Sequence, residues 1–169
     1  MNILLTGPPG CGKTTVIIKL ADRLAGRPVS GFYTQELREG GSRVGFGIRT
    51  FDGVEGVLAH VKLPGPKHVG RYGVDVAGFE SIALPTLART DAKLLVIDEI
   101  GKMECFSQAF CDAVWAALDS GRDVIATIAM KGGGFIERIK SRPDVVLLKL
   151  TVAERDVMPA RLAEMVGCA

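Results

Sequence analysis

Nine residues, Gly7-Pro8-Pro9-Gly10-Cys11-Gly12-Lys13-Thr14-Thr15, constrain this chain more than any other stretch. They read G-x-x-x-x-G-K-T, follow the apolar run Ile3-Leu4-Leu5 and open a helical pattern, the context that gives the motif its meaning. Glycines let the backbone turn tightly and aim successive N–H groups at one point, a concave site for an anion. The helix starting near Lys13 adds the positive end of its dipole. Lys13 is placed to reach β- and γ-phosphates and the Thr14 hydroxyl to take one position on Mg²⁺, so a nucleoside triphosphate is the expected ligand.

The rest of the chain alternates strands and helices. Residues 2–6 read as a buried strand, and Lys13 to Ala25 as a helix with Val16, Leu20 and Leu24 on one apolar face. Between about 30 and 63 the period changes: Gly31-Phe32-Tyr33-Thr34, then Val44, Phe46 and Ile48, then a stretch within Val57 to Lys62. Gly40-Gly41 and Asp52-Gly53 supply hairpin turns, so an antiparallel meander inserted in the core is expected, closed by Pro64-Gly65-Pro66-Lys67. A helix capped by Asp75 follows, with Pro85 expected to kink or split it. Three further apolar runs, Leu94–Ile97, Asp123–Ala129 and Val145–Leu150, alternate with helical patterns capped by Ser107, marked by Phe135, Ile136 and Ile139, and starting near Pro159. This order predicts one α/β domain over 1–169, three layers around a mainly parallel sheet, with ligand at the strands' carboxyl ends.

Asp98 ends an apolar strand, where a carboxylate can hold Mg²⁺ opposite Thr14. Glu99, its neighbour, points elsewhere and is placed to orient a water toward the γ-phosphate. Lys131, in the glycine-rich Lys131-Gly132-Gly133-Gly134 loop, is a candidate mobile cation, and Arg138, Lys140 and Arg142 a candidate lid. Glu36, Arg38, Arg43 and Arg71 read as surface charge ahead of the alternative, contact with substrate; Phe79 and Trp115 read as packing.

Composition narrows the alternatives. Twenty-one Lys and Arg stand against 19 Asp and Glu, which gives no general reason to expect nucleic acid. Cys11, Cys105, Cys111 and Cys168 show no C-x-x-C pairing, so reduced thiols in the cytoplasm are expected rather than zinc or disulfides. No run nears the ~18 apolar residues of a membrane span.

The stretch Asp98-Glu99-Ile100-Gly101-Lys102-Met103-Glu104, together with the loop and Gly31-Phe32-Tyr33-Thr34, resembles the THEP-type (cancer-related) nucleoside-triphosphatase family. Val69-Gly70-Arg71-Tyr72, Phe79-Glu80, Lys131-Gly132 and Val152-Ala153-Glu154-Arg155 resemble further segments of it. The resemblance implies a P-loop NTPase core of RecA or AAA type and Mg²⁺-dependent hydrolysis of ATP, GTP and other triphosphates in a monomer. It implies nucleotide contacts from residues 7–15, from Asp98, Glu99, Ile100 and Gly101, and from Arg155 as a surface for the base. Glu99 would activate water and Lys131 would be the finger. The family's usual Asn before that arginine is Glu154 here. No N-K-x-D signature appears, so strict guanine selectivity is not expected. A small kinase using the same loop is the alternative, supported by the Arg138–Arg142 cluster as a lid.

Overall fold

The computed structural model describes residues 1–24 and 26–167. Ala25, the expected end of the first helix, and Cys168 lie outside them. The first strand, β1 (Asn2–Thr6), is buried at every position, and the two-residue period of a strand sends its side chains into two separate apolar layers. Leu4 packs with Phe32, Phe79 and Phe110 on one face; Ile3 and Leu5 pack with Val16, Ile17 and Leu20 on the other.

After β1 come α1 (Lys13–Arg23), β2 (Val29–Glu39), β3 (Ser42–Thr50), β4 (Glu55–His60), β5 (His68–Val69), β6 (Tyr72–Val74) and α2 (Val76–Ala88). The chain continues through β7 (Leu94–Ile100), a single 3₁₀ turn (Glu104–Phe106), α3 (Gln108–Asp119), β8 (Asp123–Ile128), α4 (Phe135–Lys140), β9 (Val145–Lys149) and α5 (Met158–Met165). All nine strands join one sheet in the order β5-β6-β4-β3-β2-β7-β8-β1-β9. From β2 to β9 the pairing is parallel; from β2 to β5 it is antiparallel. Helices α1 and α5 cover one face, α2, α3 and α4 the other, so the expected three layers are present.

β2 belongs to both halves. Its first residues, Val29–Phe32, pair in parallel with Leu94–Ile97, and from Phe32 to Glu39 the same strand pairs antiparallel with β3. The meander is thus a continuation of the core sheet, and it reaches beyond the expected end at 63. β5 and β6 extend it to Val74, with His60 paired to Gly73. Strands of two and three residues carry no readable alternation, which is why the Pro64–Lys67 turn read as a terminus.

α2 is continuous through Pro85, not split by it. Ser81, whose carbonyl loses its donor at that proline, lies on the solvent side, where the carbonyl stays open to solvent rather than buried unpaired. Asp75 caps the helix start, its carboxylate accepting from Gly78 N at 2.9 Å. Ser30 Oγ donates to Thr86 O at 2.7 Å and ties the far end to β2. Among the described residues no helix is long and apolar enough to cross a membrane.

Candidate active site

The turn from β1 into α1 is built for an anion. Cys11 N donates to Pro8 O at 3.2 Å and Val16 N to Gly12 O at 3.0 Å, which closes the loop on itself. Gly12 has φ 100° and ψ 21°, a left-handed conformation that any side chain would strain. No side chain caps α1, and its first turn holds no acidic residue. Among the described residues the first N–H groups of the helix therefore have no side-chain cap, and they point to where an anion can bind. Lys13 Nζ rests on Gly7 O at 3.3 Å.

Asp98 lies directly beneath. Opposite it, the pairing of β7 with β8 passes from Ile97–Ala126 to Ile100–Ile128, a bulge of one residue that redirects the side chains there. The Asp98–Glu99 peptide bond is cis. Asp98 is wholly buried: Thr14 Oγ1 donates to Oδ2 at 2.7 Å and the Thr127 hydroxyl to Oδ1. Burial drives its pKa up, and the Thr127 and Thr14 hydrogen bonds oppose that rise. Glu99 is half-buried, and its pKa is likewise raised by burial, with the Lys13 charge pulling the other way.

Above these groups opens a cavity of about 610 Å³. The phosphate loop and the start of α1 line one side, from Gly7, Pro9 and Gly10 to Gly12, Lys13, Thr14 and Thr15; Glu99 and Lys131 reach it from neighbouring strand ends. Pro8 and Cys11 do not line it, Cys11 being buried beneath the loop. Ile100 sits in the apolar core opposite Ile128. Gly101 is buried and serves by its size: a Cβ there would lie 2.8 Å from Glu104 Oε2 and 3.5 Å from Glu99 Cγ. Arg155 lies across the back of the loop, its Cδ 2.9 Å from where a Cβ on Gly12 would stand.

The expected lid is elsewhere. Arg138 and Arg142 stack on Trp115, their guanidinium carbons 5.0 and 4.5 Å from its ring centre. Arg142 also pairs with Asp119 and Asp144, and Lys140 with Glu137 and the Met130 carbonyl. With these partners the three cations form a surface cluster against α3, and the observation that favoured a kinase-type lid is gone. Two groups at the site had no sequence signal strong enough to find them. Glu104, buried beside Gly101, has its pKa pushed up to about 8 by burial. Opposite the loop, Thr34, Gln35, Glu36, Arg43 and Phe46 form a wall supplied by the β2–β3 hairpin.

A loop-to-helix turn facing a roomy cavity at the carboxyl edge of a parallel sheet places the chain among the phosphate-loop nucleotide-binding α/β proteins. Comparison narrows the class. A family model described as NTPase matches residues 2–163. The nucleoside-triphosphatase THEP1 of Thermotoga maritima is 47% identical over 158 residues, covering 92% of this chain and 90% of its own. The human cancer-related nucleoside-triphosphatase is 42% identical over 184 residues, covering 99% of this chain and 95% of its own. The crystal structure of THEP1 from Aquifex aeolicus superposes with a TM-score of 0.90 at 38% identity, over 98% of this chain and 99% of that one. The chain belongs to this nucleoside-triphosphatase family.

Proposed function

We propose that this protein hydrolyses nucleoside triphosphates to diphosphate and phosphate, with magnesium as cofactor and little selectivity for the base. The observation that carries the reading is the Thr14–Asp98 pair, 2.7 Å between oxygens, set beneath an uncapped helix start with Glu99 on the same cavity. Hydroxyl and carboxylate are hard oxygen donors, the pair magnesium accepts alongside phosphate oxygens and water. When bound there, magnesium supplies neutralising charge at the β- and γ-phosphates.

The protein's own groups perform the rest. Backbone N–H groups of residues 10–15 hold the phosphate chain, and Lys13 leaves the Gly7 carbonyl to bridge its outer oxygens. Glu99 orients a water in line with the γ-phosphorus. Water oxygen bonds to phosphorus while the bond to the β–γ bridging oxygen breaks; that electron pair leaves on the diphosphate. The water's proton passes to a Glu99 carboxylate oxygen and then to solvent. Lys131, exposed on its glycine loop at the cavity rim, adds charge to the departing phosphoryl group. Arg155 offers a flat face to any base, and Glu154, engaged by Thr151 Oγ1 at 2.7 Å, has no such reach.

The test is phosphate release from ATP, GTP, CTP and UTP, with magnesium or with EDTA, by wild type and Glu99→Gln. Wild type is expected to turn over all four nucleotides, only with magnesium. Glu99→Gln is expected to bind nucleotide normally and hydrolyse it roughly 10²–10⁴-fold more slowly. An unchanged rate in that variant assigns the water to another group.

A further inference from the structure

The hairpin wall facing the phosphate loop has no part in the scheme above, yet its side chains are the most elaborately held on the surface of the cavity. Arg43, on β3, donates from Nε to Tyr72 Oη at 3.1 Å and from Nη1 to Glu36 Oε1 at 2.8 Å. Its guanidinium carbon lies 5.1 Å from the ring centre of Phe46 and 5.7 Å from that of Tyr72. Tyr72, buried on β6, meets Phe46 edge-on at 5.3 Å and carries the Arg71 guanidinium at 5.3 Å. Arg71 in turn donates to the Arg43 carbonyl. The other oxygen of Glu36 is taken by Arg38, at 2.6 and 3.0 Å.

Two consequences follow. A carboxylate on the wall of a phosphate site would repel its ligand, but Glu36 is answered by two arginines, so this cluster is net positive. Arg43 is also fixed in place without being used up. A guanidinium carries five N–H groups in a rigid fork. Nε and one hydrogen of Nη1 are engaged, Nη2 donates to nothing among the described residues, and the side chain is 43% exposed. Hydrogens on Nη1 and Nη2 thus stay unspent at the cavity that Lys13 and Glu99 line. That edge matches two oxygens of a tetrahedral phosphoryl group, which an ammonium cannot match.

We propose that Arg43 is a catalytic residue that contacts the terminal phosphoryl group from the hairpin side, with Glu36, Tyr72 and Phe46 as its positioning residues. The inference rests on the reading of the cavity as a triphosphate site. Lys13 and the loop grip the phosphate chain common to di- and triphosphates, whereas Arg43 meets only the group that leaves. The β2–β3 hairpin thereby gives the enzyme its preference for triphosphate over diphosphate.

Arg43→Ala and Arg43→Lys test this, with kcat, KM, melting temperature and the affinities for MgADP and for magnesium imidotriphosphate analogue measured on each. Expected for Arg43→Ala is a kcat roughly 10³-fold lower, as for arginines that act on a transferring phosphoryl group. MgADP affinity stays unchanged, analogue affinity falls about tenfold, and millimolar guanidinium restores part of the rate. Arg43→Lys keeps a charge on the wall without the fork and is expected to remain well below wild type in kcat with an unchanged melting temperature, which preserves the test if the alanine variant folds poorly. A kcat within threefold of wild type in either variant overturns the proposal, as does an equal loss of MgADP and analogue affinity. Lys13→Ala run in parallel separates the two levels: hydrolysis surviving in that variant defeats the triphosphate reading itself, whereas its loss with normal Arg43 variants defeats the hairpin assignment alone.

Discussion

Glu104 shows how much one side chain's surroundings decide. It is buried beside Gly101, and the charges of Glu99 and Asp98 add to burial in pushing its pKa to about 8 from an ordinary 4.5. The folded protein thus keeps Glu104 protonated where the unfolded chain ionises it. Stability from this group is complete below pH 4.5 and is lost progressively as pH rises toward 8. Glu104→Gln removes that loss. The melting temperature of the variant relative to wild type is expected to rise steadily between pH 5 and pH 8, read by thermal melts at several pH values; a gap that stays flat with pH contradicts a protonated Glu104. The sequence carried Glu104 only as the end of a family-like stretch, with no sign of its burial: its spacing from Asp98 fits no period, and only the 3₁₀ turn after β7 folds it back over Gly101. Lys13, Thr14, Asp98 and Glu99 were legible because their chemistry is local, a loop and a strand end. The Arg43 fork was not, because its holder Tyr72 lies 29 residues away on a three-residue strand.

At the scale of elements, caps and turns did what their residues dictate. Gly40-Gly41 turns β2 into β3, and Ser107 caps α3 by accepting from Phe110 N at 2.9 Å while donating to Glu80 Oε1 at 2.6 Å. Asp75 caps α2 by accepting from Gly78 N, and that helix packs Phe79 and Ala83 into the core away from the cavity. Asp75→Ala is therefore expected to cost about 1 kcal/mol of stability and to leave kcat unchanged, measured by denaturant titration beside a phosphate-release assay. A loss of activity larger than the loss of stability would tie α2 to the cavity. The elements that resisted sequence reading are the ones too short to have a pattern. β9 is legible from its apolar run and pairs in parallel with β1 as expected, although several of its residues are exposed at the sheet's edge.

Over the whole molecule, the cavity draws on the loop after β1, the start of α1, β2, β3, β7 and the loop after β8, so a ligand there touches both halves of the sheet at once. Binding should then stabilise the fold as a unit. Magnesium with a nonhydrolysable triphosphate at one hundred times its dissociation constant is expected to add about 2.7 kcal/mol, seen as a single shifted melting transition. Two separating transitions would mean that the halves unfold independently. They are bound together by β2, whose eleven residues hand the sheet over from one pairing sense to the other at Phe32. A strand with that double allegiance leaves no seam along which the outer wing could be cut off or transplanted. Excising residues 42–75 would strip a neighbour from the very strand that flanks β7, so the phosphate-loop side of the cavity and its opposite wall can be engineered only as one piece.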